Sequence, residues 1–289
     1  MMSETNKTAT GAVTSTRLFE GAEHADLYLK CRPDWPEEII QKTLAFLQEK
    51  KSGPFELAVD VGCGSGQATR PLASHIKKVV GVDVSVEQIR AAQCVDNPPN
   101  VEFRTGSGEA IPVSDKSVDL VTCAQAVHWF DFDVFFREVD RVLKPGGCVA
   151  IYSYHIFKPW VDGDDKKNEQ LYSIVTQHDT ETCGPYNSPR ILHLQNMLAD
   201  VHIPYEETIR DNTLAIRQDT TMKSYIGYLE SRSGYQSYLE NNPDDKADPL
   251  KEVQERLMDT LGLDAPAEYS KINIRSPIAF LLGRKPDNN

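Results

Sequence analysis

The sequence predicts an α/β fold in which a mostly parallel sheet is covered by helices on both faces. Three observations predict it. Short, nearly unbroken apolar runs occur at Leu57–Val61, Lys78–Val82, Val118–Ala124 and Cys148–Tyr154; helical periodicity returns between them; and closely spaced glycines follow the first run. Continuous apolar strands are buried on both faces, and parallel strands need a crossover, usually a helix, to return. The 289 residues are 40% hydrophobic and 26% charged, with 17 Gly and 17 Pro. These are globular proportions and exclude a disordered or fibrous chain.

Each element follows in order. Residues 1–16 are small, polar and Thr-rich and read as a loose tail. Asp34 and Glu37 have capping-box spacing ahead of the helical series Ile39, Ile40, Thr43, Leu44, Phe46 and Leu47, which Gly53-Pro54 ends. Strand Leu57–Val61 runs into Gly62, Gly64 and Gly66, and a helix is expected from Gln67 to Ser74. Strand Lys78–Val82 ends at Asp83 and leads to a helix over Val86–Gln93; Val101–Thr105 is a third strand. Ser114–Ser117 reads as a turn before Val118–Ala124. Asp131 or Asp133 caps a helix through Phe135, Phe136, Val139, Val142 and Leu143, and Pro145-Gly146-Gly147 stops it before Cys148–Tyr154.

After Tyr154 the alternation breaks. A helix is expected over Arg190–Leu198, an extended segment over 206–216, and helices around Met222–Leu229 and Leu250–Thr260. Ile272–Leu282 reads as a final strand, and Pro277 inside it predicts an edge or a bulge. The organisation expected is a tail at 1–16, an α/β core at 17–154, a partly helical cap or wall at 155–240, and a helix and strand at 241–289 that complete the core.

Net charge is −12, and the longest basic runs are the pairs Lys50-Lys51, Lys77-Lys78 and Lys166-Lys167. Without a concentrated basic face, nucleic acid and acidic membranes are not the expected partners. A small-molecule partner is expected, with the chain a monomer or weak homodimer. The six cysteines are scattered, with neither Cys-x-x-Cys nor Cys/His ligand spacing, so they predict reduced thiols in the cytoplasm and no bound metal. The N-terminus pairs no positive region with an apolar stretch, so no secretory signal is expected, and no run approaches the roughly 20 apolar residues of a membrane span.

Leu57–Gly66 is the most informative segment. Gly62, Gly64 and Gly66 permit a tight turn and close approach of a ligand to the backbone. Their spacing is Gly-x-Gly-x-Gly, where a dinucleotide fold has Gly-x-Gly-x-x-Gly, and a phosphate loop would end Gly-Lys-Ser/Thr. Asp60 would repel a pyrophosphate, whereas it attracts the sulfonium and ammonium of S-adenosylmethionine. Asp83, 23 positions later, follows the second strand, where a carboxylate accepts both ribose hydroxyls.

Val59–Gly66 resembles the first motif of class I S-adenosylmethionine-dependent methyltransferases. Val82-Asp83-Val84-Ser85 resembles the ribose-binding end of their second strand, and Gly106–Pro112 their adenine-side loop. Asp119–Val121 with Gln125–Trp129 resembles strand four and its active-site loop, and Arg141–Gly147 the turn before strand five. Tyr28–Pro36 is similar to a stretch found in trans-aconitate methyltransferases and their eukaryotic relatives. The resemblance covers roughly 28–154, with Ile272–Arg284 resembling the last strands. It implies a Rossmann-like fold with a C-terminal cap insertion, S-adenosylmethionine as cofactor and S-adenosylhomocysteine as product. Asp60, Gly62, Cys63, Gly64 and Gly66 would hold the methionine part, Asp83 and Ser85 the ribose, and Ser107, Gly108 and Glu109 the adenine. Gln125 would lie by the methionine end, with Tyr28 and Arg32 on a helix closing over the cofactor. Gly108 stands where the family usually has Ala.

Methyl transfer is an in-line displacement for which alignment and exclusion of water supply much of the catalysis. His128, after strand four, is the candidate general base, with an orienting role as the alternative. Trp129 is a candidate acceptor wall, while Phe130, Phe135 and Phe136 read as core. By the subgroup resemblance Arg232 would clamp an acceptor carboxylate and Tyr235 would line its pocket. The expected reaction is methylation of a small molecule at a carboxylate oxygen. Alternatives are C- or N-methylation of a quinone precursor, sterol or amine, or a non-catalytic protein that binds the cofactor and serves interaction.

Overall fold

The computed structural model describes residues 35–243 and 248–287. Helix α1 (Glu37–Gln48) leads into β1 (Phe55–Val61); β2 (Ile76–Asp83), α2 (Val86–Gln93), β3 (Val101–Thr105) and β4 (Val118–Ala124) follow, then α3 (Phe132–Val142) and β5 (Leu143–Tyr154). β1 pairs in parallel with both β2 and β4, β2 with β3, and β4 with β5. The order β3-β2-β1-β4-β5 reverses direction at β1, so the chain leaves a crevice at the carboxyl ends of β1 and β4.

Alternation along the strands divides the core. Ala58, Leu120, Ala150 and Tyr152 face one layer with α1, whereas Val59, Val61, Val121, Val149 and Ile151 face the other, with Phe135, Phe136, Val139 and Val142 of α3. Asp131 caps α3 by accepting from the Val134 amide.

Beyond β5 come β6 (Lys158–Trp160), α4 (Asp165–Gln177), α5 (Ile191–Gln195), β7 (Glu207–Asp211), β8 (Ala215–Thr221), α6 (Met222–Glu230), α7 (Ser233–Asn241), α8 (Pro249–Leu261) and β9 (Lys271–Arg284). The last strand is antiparallel to all its partners. Its first half lies between β6 and β8, its second half between β5 and β7.

Several expectations are corrected. The helix expected over Gln67–Ser74 is shorter and tighter, a 3₁₀ helix over Arg70–Ser74, because Pro71 lacks the N–H that an α-helix begun at Gln67 would need there. Asp34 lies outside the described residues, and Pro36 occupies the cap of α1 without a side-chain bond. The Pro145-Gly146-Gly147 stop is not a loop: β5 begins at Leu143 and runs through it, with an irregular register against β4. Pro277 does not mark a sheet edge. It sits where β9 passes from β6 and β8 to β5 and β7.

Candidate functional site

A cavity of about 220 Å³ opens at the crevice, lined by the glycine turn after β1, the Asp83 end of β2, the loop after β3 and the loop after β4. The turn is held by Gly62 and Cys63, whose amides both donate to Val82 O, which joins the ends of β1 and β2. Gly62 has φ +69°, and a Cβ there would lie 2.3 Å from the Ala126 Cβ. Only glycine allows the loop after β4 to pack this closely.

Asp83 lines the cavity with both carboxylate oxygens anchored, accepting from Gly64 N at 2.8 Å and Ser85 N at 2.9 Å. Burial raises its pKa, and the backbone N–H groups oppose that rise. Each oxygen keeps acceptor capacity for a ligand hydroxyl. Beside it the buried Ser65 Oγ and Gln88 Oε1 have no hydrogen-bond partner among the described residues, and both residues line the cavity. Buried polar atoms are seldom left unsatisfied, so this pair marks a place for a polar ligand.

Gly62, Cys63, Gly64, Asp83, Ser85, Ser107, Gly108, Glu109, Gln125 and Trp129 are brought together around this cavity. Gln125 has its amide committed: Nε2 donates to Tyr154 O and Oε1 accepts from Tyr154 N, both at 2.9 Å. It splices β4 to β5 and has its φ at +55°. Glu109 accepts from the Asp131 amide through Oε1, tying the loop after β3 to the start of α3.

Other candidates lie elsewhere. Asp60 is fully buried beneath the turn, accepting from Thr69 Oγ1 at 2.6 Å and Thr122 Oγ1 at 2.7 Å. Burial pushes its pKa up to about 6 despite those bonds. Gly66 faces inward, where a Cβ would strike the Phe103 ring at 2.5 Å. His128 is 2% exposed, does not line the cavity, and its Nδ1 has no hydrogen-bond partner among the described residues. Burial, aided by His193 and Arg190, takes its pKa down to about 3, so the structure presents a neutral interior imidazole rather than a base at the cavity. Arg232 pairs with buried Asp179 at 3.0 Å, with His155 Nε2 3.3 Å from the same carboxylate, and buried Tyr235 packs beside His178. Neither Arg232 nor Tyr235 lines the cavity. Tyr28 and Arg32 lie outside the described residues.

Sequence reasoning missed Trp35, Gln88, Phe130 and Tyr154, which line the cavity. Gln88 had a legible signal, standing three residues after the Ser85 cap and donating its amide to Ser85 Oγ. Phe130 read as core, yet its ring turns toward the cavity because Gly62 and Gly108 leave room for it.

Residues 59–151 match the family described as a methyltransferase domain. A Dictyostelium discoideum protein named as a methyltransferase is 32% identical over 89% of this chain and 92% of its own length. A Saccharomyces cerevisiae protein named as an S-adenosylmethionine-dependent methyltransferase is 24% identical over 78% of this chain and 82% of its own. The solved structure of a protein named as a type II methyltransferase, from Anaeromyxobacter dehalogenans, superposes with a TM-score of 0.70 at 27% identity, covering 88% of this chain and 99% of that one.

Proposed function

The chain belongs to the class I S-adenosylmethionine-dependent methyltransferases, and from that premise we propose that the cavity holds this cofactor and that the methyl passes to a small-molecule carboxylate oxygen. The observation that carries the cofactor reading is the anchored Asp83 carboxylate facing a cavity that also contains the unpartnered Ser65 Oγ and Gln88 Oε1. When bound, the cofactor supplies an electrophilic methyl on a sulfonium.

The residues divide the remaining work. Asp83 takes the ribose hydroxyls, with Ser85 at the strand end. The backbone at Gly62–Gly64 lies along the methionine part, and the backbone at Ser107 and Gly108 faces adenine beside Glu109. Trp129, Phe130, Trp35 and Tyr154 exclude water from the reacting end. Asp60 contributes a negative charge from below the turn, through Thr69, Thr122 and the strand ends rather than by contact.

The lining contains no histidine, lysine or arginine among the described residues. A carboxylate acceptor arrives already deprotonated and needs no base. Residues 155–240 are proposed as the acceptor wall; Arg232 is assigned there to holding Asp179, and His128 to packing.

Titration with S-adenosylmethionine tests the cofactor reading. The native chain is expected to bind and Asp83→Ala to bind at least ~10-fold more weakly, from lost charge-assisted hydrogen bonds. No binding by the native chain would refute it. Incubation with methyl-labelled cofactor and a metabolite extract then identifies the labelled product; an N- or C-methyl product would overturn the carboxylate assignment.

A further inference from the structure

Three successive carbonyls in the loop after β4 converge on one side chain. Arg190 Nη1 lies 2.7 Å from Trp129 O, 2.8 Å from Phe130 O and 3.5 Å from His128 O. Val127–Trp129 is a single helical turn, in which Trp129 N and Phe130 N donate back to Ala126 O and Val127 O. The next amide, that of Asp131, is diverted to Glu109 Oε1 at 2.7 Å. No backbone N–H among the described residues donates to the carbonyls of 128 or 130. The carbonyl end of a helical turn is its negative pole, and a cation there satisfies both its charge and its lone pairs.

The loop so held forms part of the cavity. Trp129 and Phe130 line it, and Ala126 fills the space that a side chain at Gly62 would take. Arg190 itself comes from the segment after β5, just ahead of α5. It therefore fastens the 155–240 segment to the cavity loop at the loop's main chain, which leaves both aromatic side chains turned inward.

We propose that Arg190 is a positioning residue that latches the Val127–Phe130 loop in the shape that receives the cofactor, an inference that rests on the methyltransferase reading of this cavity. Nη1 carries two hydrogens for three carbonyls, so the two short bonds take them and the third contact is electrostatic. The latch thus works largely as a positive charge at a fixed point. A lysine ammonium, with three donors, can replace it in part; an uncharged chain of similar length cannot.

The test compares Arg190→Lys and Arg190→Met in the full chain, using S-adenosylhomocysteine titration and amide hydrogen exchange followed by peptide. If Arg190→Met leaves the receiving shape populated at about a tenth, apparent affinity falls about tenfold. Exchange should accelerate in the peptide covering 125–131 but not in those covering β1 and β4. Arg190→Lys should stay within about threefold of the native affinity. Unchanged affinity and exchange in Arg190→Met would overturn the latch. So would an equal loss in both variants with faster exchange throughout β1 and β4, since that is loss of fold rather than of position. Failure of the native chain to bind would count against the cofactor reading instead, and the exchange comparison would still decide the latch.

Discussion

Asp60 is a carboxylate with two hydroxyl partners and no exposure, and its environment sets a cost against a use. The group titrates near 3.8 when unfolded and near 6 when folded. Between those values the folded state holds more protons, so stability falls as pH rises through that window. Above it the ionised carboxylate costs on the order of 2–3 kcal/mol. Asp60→Asn keeps the shape and removes the charge; its amide oxygen still accepts from one threonine hydroxyl, while its NH2 must donate to the other. It is expected to raise stability at pH 7 by ~1–3 kcal/mol in urea unfolding and to weaken S-adenosylmethionine binding. A cationic ligand favours ionised Asp60, so native affinity should increase from pH 5.5 to 7.5, and the Asn variant should flatten that dependence in titration. His128 runs the other way. Its pKa of about 3 lies below the unfolded 6.5, so the unfolded chain binds the extra proton and stability falls as pH drops below 6.5. That amounts to about 2 kcal/mol by pH 5. His128→Leu should lose less stability than the native chain between pH 8 and pH 5 in urea midpoints; an unchanged acid limb would refute this.

Among elements, the loops after β1, β3 and β4 close on one aromatic ring. A Cβ on Gly108 would come within 2.8 Å of both Phe130 Cζ and Val61 Cγ1, and one on Gly62 within 3.5 Å of Phe130 Cζ. Gly108→Ala should therefore cost ~1–3 kcal/mol through overpacking. Phe130→Leu should relieve part of that cost, giving a coupling of at least ~0.5 kcal/mol in a double-mutant cycle measured by denaturant unfolding. Strict additivity would show that the ring yields freely. The same loops show what was legible in the sequence. The apolar runs and glycine spacing identified β1, β2, β4 and the turn, because backbone conformation and burial on both faces restrict residue choice locally. Asp83 was legible as a carboxylate at a strand end, and the structure places it in the cavity lining. Asp60 and Gly66 were placed in the ligand's path because spacing carries no direction; Thr69, Thr122 and Phe103 decide that both face inward. The depressed pKa of His128 was not legible either, since burial and the charges of His193 and Arg190, more than sixty residues away, set it.

For the whole molecule, β9 was legible as a strand but not as a central one. Pro277 argued for an edge, yet it lies where one set of neighbours replaces another, and β9 joins β5, β6, β7 and β8. No local pattern reports that four strands depend on one. Among the described residues no helix is long and apolar enough to cross a membrane. Deleting residues 278–287 would leave β5 and β7 without this partner, and is expected to send the protein to the pellet in a sedimentation assay where the full chain stays in solution. The arrangement also imposes a timetable on synthesis. β5 ends at 154 and its outer partner ends at 284, so a ribosome adding about 5–20 residues per second exposes that edge for on the order of ten seconds. During that interval the nascent β5 presents an open ladder of main-chain donors and acceptors that the fold has not yet covered.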